Sequence, residues 1–330
     1  MKIGVKLISL ISIFNIIGIG ILAGVTVSLA HREISRLAEE QAYSLAQKGA
    51  EEMKNWFETY MDTARTLARI MEGYKEIPAE ERREQFNFML KQTLIAHPEV
   101  ASVYANWAPN ALDNIDAEYA NTPGTDETGR YIPLFINTSD GPLLEAVVEF
   151  PFEAVMQATA GEEFIFEPEV RAIGSNILLV ASICIPVKDN GTMVGITGIV
   201  FELPRIQAIA EAIKPLGNGY AMVFSGDGVV AAHPDPERLG KNIKESEIDT
   251  FGESLETLVD AVTTGTSIAF SAPAVNGGGG GLFSTMSSPL LLVNLRNRGR
   301  SLSASQGIRL WHPSIICFTS ALSSVFLLCS

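Results

Sequence analysis

The sequence predicts an α+β chain: an N-terminal transmembrane helix, a long stalk helix, then two small antiparallel-sheet subdomains in series, the second incomplete. Three observations predict it. Residues 7–30 carry no charge. Residues 31–75 repeat apolar side chains at three- and four-residue steps without a proline. From residue 100 the pattern changes to short runs of β-branched and aromatic residues separated by turn signals. With 47% hydrophobic residues in 330, the chain can build a substantial core. A formal charge of −14 excludes a phosphate-backbone partner, which needs clustered Lys and Arg, so no nucleic acid is expected. Cys184, Cys317 and Cys329 form no CxxC pair and have no histidine at metal-ligand spacing, so neither a disulfide framework nor a metal site is expected.

The elements follow in order. Residues 7–30, "LISLISIFNIIGIGILAGVTVSLA", exceed the roughly 20 apolar residues that cross a hydrocarbon core. Lys2 and Lys6 precede them, which places residues 1–6 in the cytoplasm and the rest outside. The alternative is a cleaved signal peptide ending near Ser28-Leu29-Ala30, but the apolar run is longer than such a leader carries. Residues 31–76 read as one amphipathic helix, with Ile34, Leu37, Leu45, Met53, Trp56, Phe57, Tyr60, Ala64, Leu67 and Met71 along one stripe. A stalk of that length wants a partner, and a second copy is the simplest one. A further helix starts near Pro78 and stops before Pro98.

"EVASVYANW", "EEFIFEPEV", "NILLVASICIPVK" and "TMVGITGIVFEL" then read as strands, with "KDNG" at 188–191 as the hairpin turn between the last two. Between the first and the others lies a connection dense in Pro, Gly, Asn and Asp, too long for a plain loop and so read as functional. A short helix, "LPRIQAIAEAIKPL", leads to a second hairpin around "SGDG" at 225–228.

Three pieces carry a family resemblance: the apolar helix running into the amphipathic one, "WAPNALDNIDAEYANTPGTDETGRYIP" at 107–133, and "GNGYAMVFSGDGVVAAHPDPERLGKN" at 217–242. Over residues 1–275 the chain resembles the extracytoplasmic sensor half of bacterial methyl-accepting chemotaxis receptors with a double Cache domain, two PAS-like subdomains in series. The resemblance implies a single-pass protein of the bacterial inner membrane and a homodimer. It also implies a small-molecule ligand in the membrane-distal subdomain (77–205), a membrane-proximal subdomain over 206–275, no cofactor and no catalysis. Cytoplasmic kinase-coupling machinery would belong to an intact homologue.

By the same resemblance the ligand pocket would lie between the long loop and the sheet. Tyr104, Trp107, Arg130, Tyr131, Phe135, Glu167, Glu169 and Arg171 would line it, aromatics shaping the cavity and charges orienting an amino acid, a small carboxylate or an amine. Val200 stands where amino-acid binders of the family carry an acid, and it cannot counter an ammonium group; Glu202, Glu167 or Glu169 would have to substitute. His233 reads as the end of a strand, with Pro234 and Pro236 preventing its continuation and Gly240 supplying a turn.

Beyond Asp260 there is no acidic residue, and beyond Lys244 no lysine. Residues 276–330 therefore read as an anomalous tail, a frameshifted stretch after the glycines at 277–281, leaving a truncated receptor unable to signal. Residues 313–330 are uncharged but follow arginines that would lie outside the cell, against a second span. Two alternatives stand beside the chemoreceptor: the sensor ectodomain of a histidine kinase or cyclic-dinucleotide enzyme, and an extracytoplasmic hydrolase using His233 with Asp235 or Asp227. For the latter, "FSGDG" lacks the spacing of a nucleophile elbow around Ser225.

Overall fold

The computed structural model describes residues 3–147, 155, 161–173, 176–215, 219–266, 269–272, 281–287 and 314–319. Helix α1 runs unbroken from Ile3 to Glu72, so the apolar segment and the amphipathic stretch are one rod about 105 Å long at 1.5 Å per residue. Its window Leu10–Ile34 has a mean hydropathy of 2.3 and none of it is buried. Further on, Ala42, Ala46, Ala50, Met53, Phe57, Ala64, Ala68 and Met71 are buried. Steps of three, four and seven keep these on one side of the helix, alanines alone as far as Ala50 and a mixture of alanine with methionine and phenylalanine after it. Helix α2 (Arg82–Ala96) follows a short helical turn at Ala79–Glu81 and stops at His97, before Pro98, burying Phe86, Leu90 and Leu94.

The first sheet has strands β1 (Ser102–Trp107), β2 (Pro133–Ile136), β3 (Leu143–Ala146), β4 (Phe164–Ile173), β5 (Asn176–Asp189) and β6 (Thr192–Glu202). Their order is β3-β2-β1-β6-β5-β4, every pair antiparallel. The four runs read as strands from sequence are β1, β4, β5 and β6; β2 and β3 have only four residues each, too short to show a period. Asn190 and Gly191 form the two-residue turn between β5 and β6, with φ of +50° and +83°, the left-handed pair that matches strand twist.

One face of this sheet meets the helices. Val103 and Trp107 of β1, Ile183 and Ile185 of β5, and Ile199 and Phe201 of β6 join the buried side of α1 in one core. Phe201 packs edge-on against Trp56 and Phe57, with centroids 4.9 and 5.1 Å away. The outer face carries a second core of Tyr104, Ile136, Phe164, Phe166, Cys184, Ile196 and Val200, with Val147 and Val155 of the β3–β4 connection against it.

Helix α3 (Pro204–Ala212), with proline in its first turn, leads to the second sheet. That sheet comprises β7 (Tyr220–Phe224), β8 (Val230–Ala232), β9 (Ala269–Ala272), β10 (Gly281–Ser287) and β11 (Ser314–Thr319), in the order β8-β7-β11-β10-β9. Helix α4 (Leu255–Thr264) buries Leu258 and Val262 with Met222, Phe224, Val230, Ile243 and Phe251. The sequence reading sets residues 276–330 apart, yet β10 and β11 both come from that stretch, and β11 lies between β7 and β10. "SIICFT" is a β-branched and aromatic run of strand length, and residues 314–319 are extended backbone paired in a sheet. The rest of 276–330 lies outside the described residues.

Candidate functional site

Strand parity builds the site. Side chains alternate across a strand, so Ser102 and Tyr104 point to the outer face of the sheet. Trp107, three residues beyond Tyr104, points to the helices. The β1–β2 register pairs Tyr104 with Leu134 and Val103 with Phe135, which puts Leu134 beside Tyr104 and Phe135 on the helical face. In β4 the register slips: Phe166 faces Ser182 while Glu169 faces Val180, three steps on one strand against two on the other. This bulge reverses the phase of β4 and brings Arg171 and Ile173 onto the outer face.

Together these segments line a cavity of about 120 Å³ that is open at its rim. Its floor is Ser102, Tyr104, Leu134 and Val200, one wall is residues 145–147 at the β3 edge, and the other is residues 171–173 of β4. Tyr104 Oη donates to the Ile183 carbonyl at 3.0 Å and accepts from Ser182 Oγ at 3.3 Å. Burial holds this phenol well above its usual pKa range, so it remains a neutral donor. Arg171 is mostly buried and ion-paired with Glu169, which is half exposed. Ser102 is 1% exposed, and its Oγ has no hydrogen-bond partner among the described residues.

Gly198 makes the Tyr104 placement feasible. A Cβ there would collide with the Ile183 carbonyl and lie 2.6 Å from Tyr104 Oη. Gly198→Ala is therefore expected to push the phenol off that carbonyl and destabilise the fold by about 1–3 kcal/mol. Urea denaturation checks this; a midpoint equal to that of the parent would contradict it.

Two of the eight residues expected at the site, Tyr104 and Arg171, line the cavity. Trp107 is fully buried on the helical face, edge-on to Tyr74 and stacked on Phe86, with centroids 5.1 and 6.1 Å away. Tyr131 donates to Asn87 Oδ1 at 2.9 Å, and Phe135 joins the same core as Trp107. Arg130 is tied to Asp126 within the loop, Nε to Oδ2 at 3.2 Å. Glu167 is buried at the bulge, Glu169 faces solvent beside Arg171, and neither Glu169 nor Glu202 lines the cavity. Ser102, Leu134, Val147 and Ile173 were missed. The first two were findable by parity, standing two residues before Tyr104 and opposite it; Ile173 depends on a bulge whose signal is Pro168, between Phe166 and Glu169, and Val147 on an edge strand without a sequence signal.

The long loop also lies elsewhere than expected. It packs on α2, not over the cavity. Arg83 of α2 is buried and holds it: Nε to Asp113 Oδ2 at 2.5 Å, one terminal nitrogen to Asp116 Oδ1 at 2.6 Å, and the other to the Gly129 carbonyl at 2.8 Å. Its guanidinium lies 4.1 Å from the centroid of the Tyr119 ring. A cation this deep recruits its counter-charges from the nearest chain, and that chain is the loop.

His233 closes β8's end as expected, but within a cluster that sequence distance hides. Gln207 of α3 brackets its backbone, accepting from the N–H and donating to the carbonyl, both at 3.0 Å. Asp235 N–H donates to Nδ1 at 2.8 Å, so the ring proton sits on Nε2, 3.6 Å from the buried Glu247. Glu247 is paired in turn with Arg238 at 3.0 Å. The left-handed turn at Gly240, φ +76°, returns the chain to these partners. Asp235 meets the ring through its backbone, and Ser225 Oγ accepts from Val229 N–H at 2.9 Å inside the β7–β8 turn, so neither is aimed for hydrolysis.

Burial holds the His233 pKa below its usual value, with Glu247 opposing the shift. The unfolded chain then binds the extra proton first. His233's contribution to stability is complete above about pH 6.5 and is lost as pH falls from there through the folded-state value. The stability difference between parent and His233→Gln is expected to shrink between pH 7.5 and 5; a difference independent of pH would contradict this.

The Cache domain family matches residues 30–287. The chain belongs to the Cache-domain family. This Cache protein is 28% identical over 203 residues to the methyl-accepting chemotaxis protein TlpQ of Pseudomonas aeruginosa, covering 55% of this chain and 28% of TlpQ's length. The Cache fold is shared with the extracellular domain of the putative histidine kinase mmHK1S-Z3, with a TM-score of 0.69 at 21% identity, over 86% of this chain and 95% of that one. It is shared too with the ligand-binding domain of the P. aeruginosa amino-acid chemoreceptor PctB, solved in complex with L-Arg. Here the TM-score is 0.53 at 19% identity, over 84% and 93% of the two chains.

Proposed function

We propose that this chain is the sensor region of a membrane-anchored chemoreceptor and that it binds a small extracytoplasmic molecule in the outer-face cavity of its first sheet. The observation that carries the reading is that cavity, where a mostly buried arginine and a buried serine hydroxyl without a partner among the described residues meet an apolar floor. PctB's capture of L-Arg in the same fold supports it. The apolar window Leu10–Ile34, with Lys2 and Lys6 before it, serves as the anchor, and α1 pairs with a second copy. TlpQ and PctB, both methyl-accepting chemotaxis proteins, favour chemotaxis over a histidine-kinase output. The chain acts by binding and carries out no catalysis.

A thermal-shift screen of the full chain in lipid nanodiscs against amino acids, small carboxylates and amines tests the reading, because a ligand of the folded state raises Tm by mass action. A concentration-dependent rise that Arg171→Gln removes is the expected result. A cooperative melt that no compound moves would overturn it.

A further inference from the structure

We propose that the cavity selects a monocarboxylate of three or four carbons and favours one with a 2-hydroxyl group. This deepens the sensor reading and depends on it. Size sets the first limit. A dry cavity of about 150 Å³ holds benzene, with its six non-hydrogen atoms, so about 120 Å³ holds some five, the size of propanoate, and the open rim admits the sixth atom of butanoate or 2-hydroxypropanoate.

Charge sets the second limit. Among the described residues Arg171 is the cation of the wall, and its planar fork, which already holds Glu169, has donors enough to meet a carboxylate as well. The remaining described surface comes from buried Val147, Ile173 and Val200 and half-buried Leu134; these side chains accept hydrocarbon and give an ammonium group nothing to bond, and placing one against them without a partner is costly. Glu145, on the exposed edge strand β3, stays in water at the rim and repels a second carboxylate.

Ser102 sets the third. A hydroxyl buried at 1% exposure ordinarily has a partner, and this one has none among the described residues. Tyr104 cannot serve, since its Oη is already engaged by Ile183 and Ser182. A ligand oxygen beside the carboxylate carbon would satisfy Ser102 while the carboxylate meets Arg171. A 2-hydroxyl is such an oxygen.

The test is isothermal titration of the full chain in nanodiscs with four probes of nearly equal size: 2-hydroxypropanoate, propanoate, L-alanine and 1-aminopropane. The expected order is 2-hydroxypropanoate about fivefold tighter than propanoate, the worth of one neutral hydrogen bond, with no measurable binding of the other two. Ser102→Ala should equalise the two acids. Arg171→Gln should abolish both, and Arg171→Lys should recover part of the affinity, with Tm of each variant showing that it remains folded. If L-alanine or 1-aminopropane binds more tightly than propanoate, the monocarboxylate inference falls and the sensor reading stands. If 2-hydroxypropanoate keeps its advantage in Ser102→Ala, the hydroxyl assignment falls alone. If none of the four binds but another compound of the wider screen does, the inference again falls alone; if nothing binds at all, both fall.

Discussion

Replacing Arg83 by methionine is expected to cost about 3–5 kcal/mol, because it removes one member of a buried charge cluster and leaves the others behind. Asp113 and Asp116 are 7% and 4% exposed. Without the guanidinium both carboxylates are left unpaired where water barely reaches, and the Gly129 carbonyl loses its donor as well. The loss is also topological. Arg83 is what fastens residues 113–129 to α2, so cleavage within that loop by a nonspecific protease should accelerate in step. Urea denaturation and limited proteolysis of the full chain measure the two effects. A companion variant, Arg83→Met with Asp113→Leu and Asp116→Leu, should recover much of the stability, since whole buried ion clusters can be exchanged for apolar groups at little cost. A loss under about 1 kcal/mol for the single variant would mean that the cluster is far better hydrated than its geometry implies.

Trp107→Ala is expected to be equally severe, at about 3–5 kcal/mol, through the cavity left between Tyr74 and Phe86. Trp107→Phe should cost much less. It keeps most of the ring volume and removes an indole N–H that is buried without an acceptor among the described residues. Neither substitution should alter the affinity of the folded protein for a ligand in the outer-face cavity, because the sheet separates the two. A weakened Kd in Trp107→Phe at a temperature where the variant is fully folded would show that the binding surface is the helical face, and would overturn the site described above.

The contrast between Trp107 and Tyr104 also marks how much the sequence discloses. Elements specified by local chemistry were legible: the charge-free run of residues 7–30, the three-and-four spacing from Ala42 to Met71, Pro78 at a helix start, and Asn190-Gly191 at a hairpin. Which side of the sheet a residue serves was legible only in part. Tyr104 and Trp107 are an odd number of positions apart and so belong to opposite faces, and the same parity takes Phe135 to the helices once its register with Val103 is known. The β4 bulge is different in kind. In "EEFIFEPEVRAI" Pro168 marks a strand edge or a bulge, but the run is silent on the phase that follows, which decides that Arg171 faces the cavity. Long-range charge pairing was equally silent: Arg83 stands 30 and 33 positions from its two carboxylates, and His233 fourteen from Glu247.

Helix α1 has a mechanical consequence. It passes from the first sheet to the end of the apolar segment without a proline or a break, so it has no hinge in which to lose a displacement. From Ala42 to Met71 its buried face holds it along its length, and the exposed pair of Glu52 with Arg205 of α3, at 3.1 Å, only adds to that seat. From Met71 to Leu22, inside the apolar window, is about 74 Å at 1.5 Å per residue. A rod seated in this way has one easy direction, along its own axis. An axial shift at Met71 therefore reaches Leu22 with its direction and size unchanged.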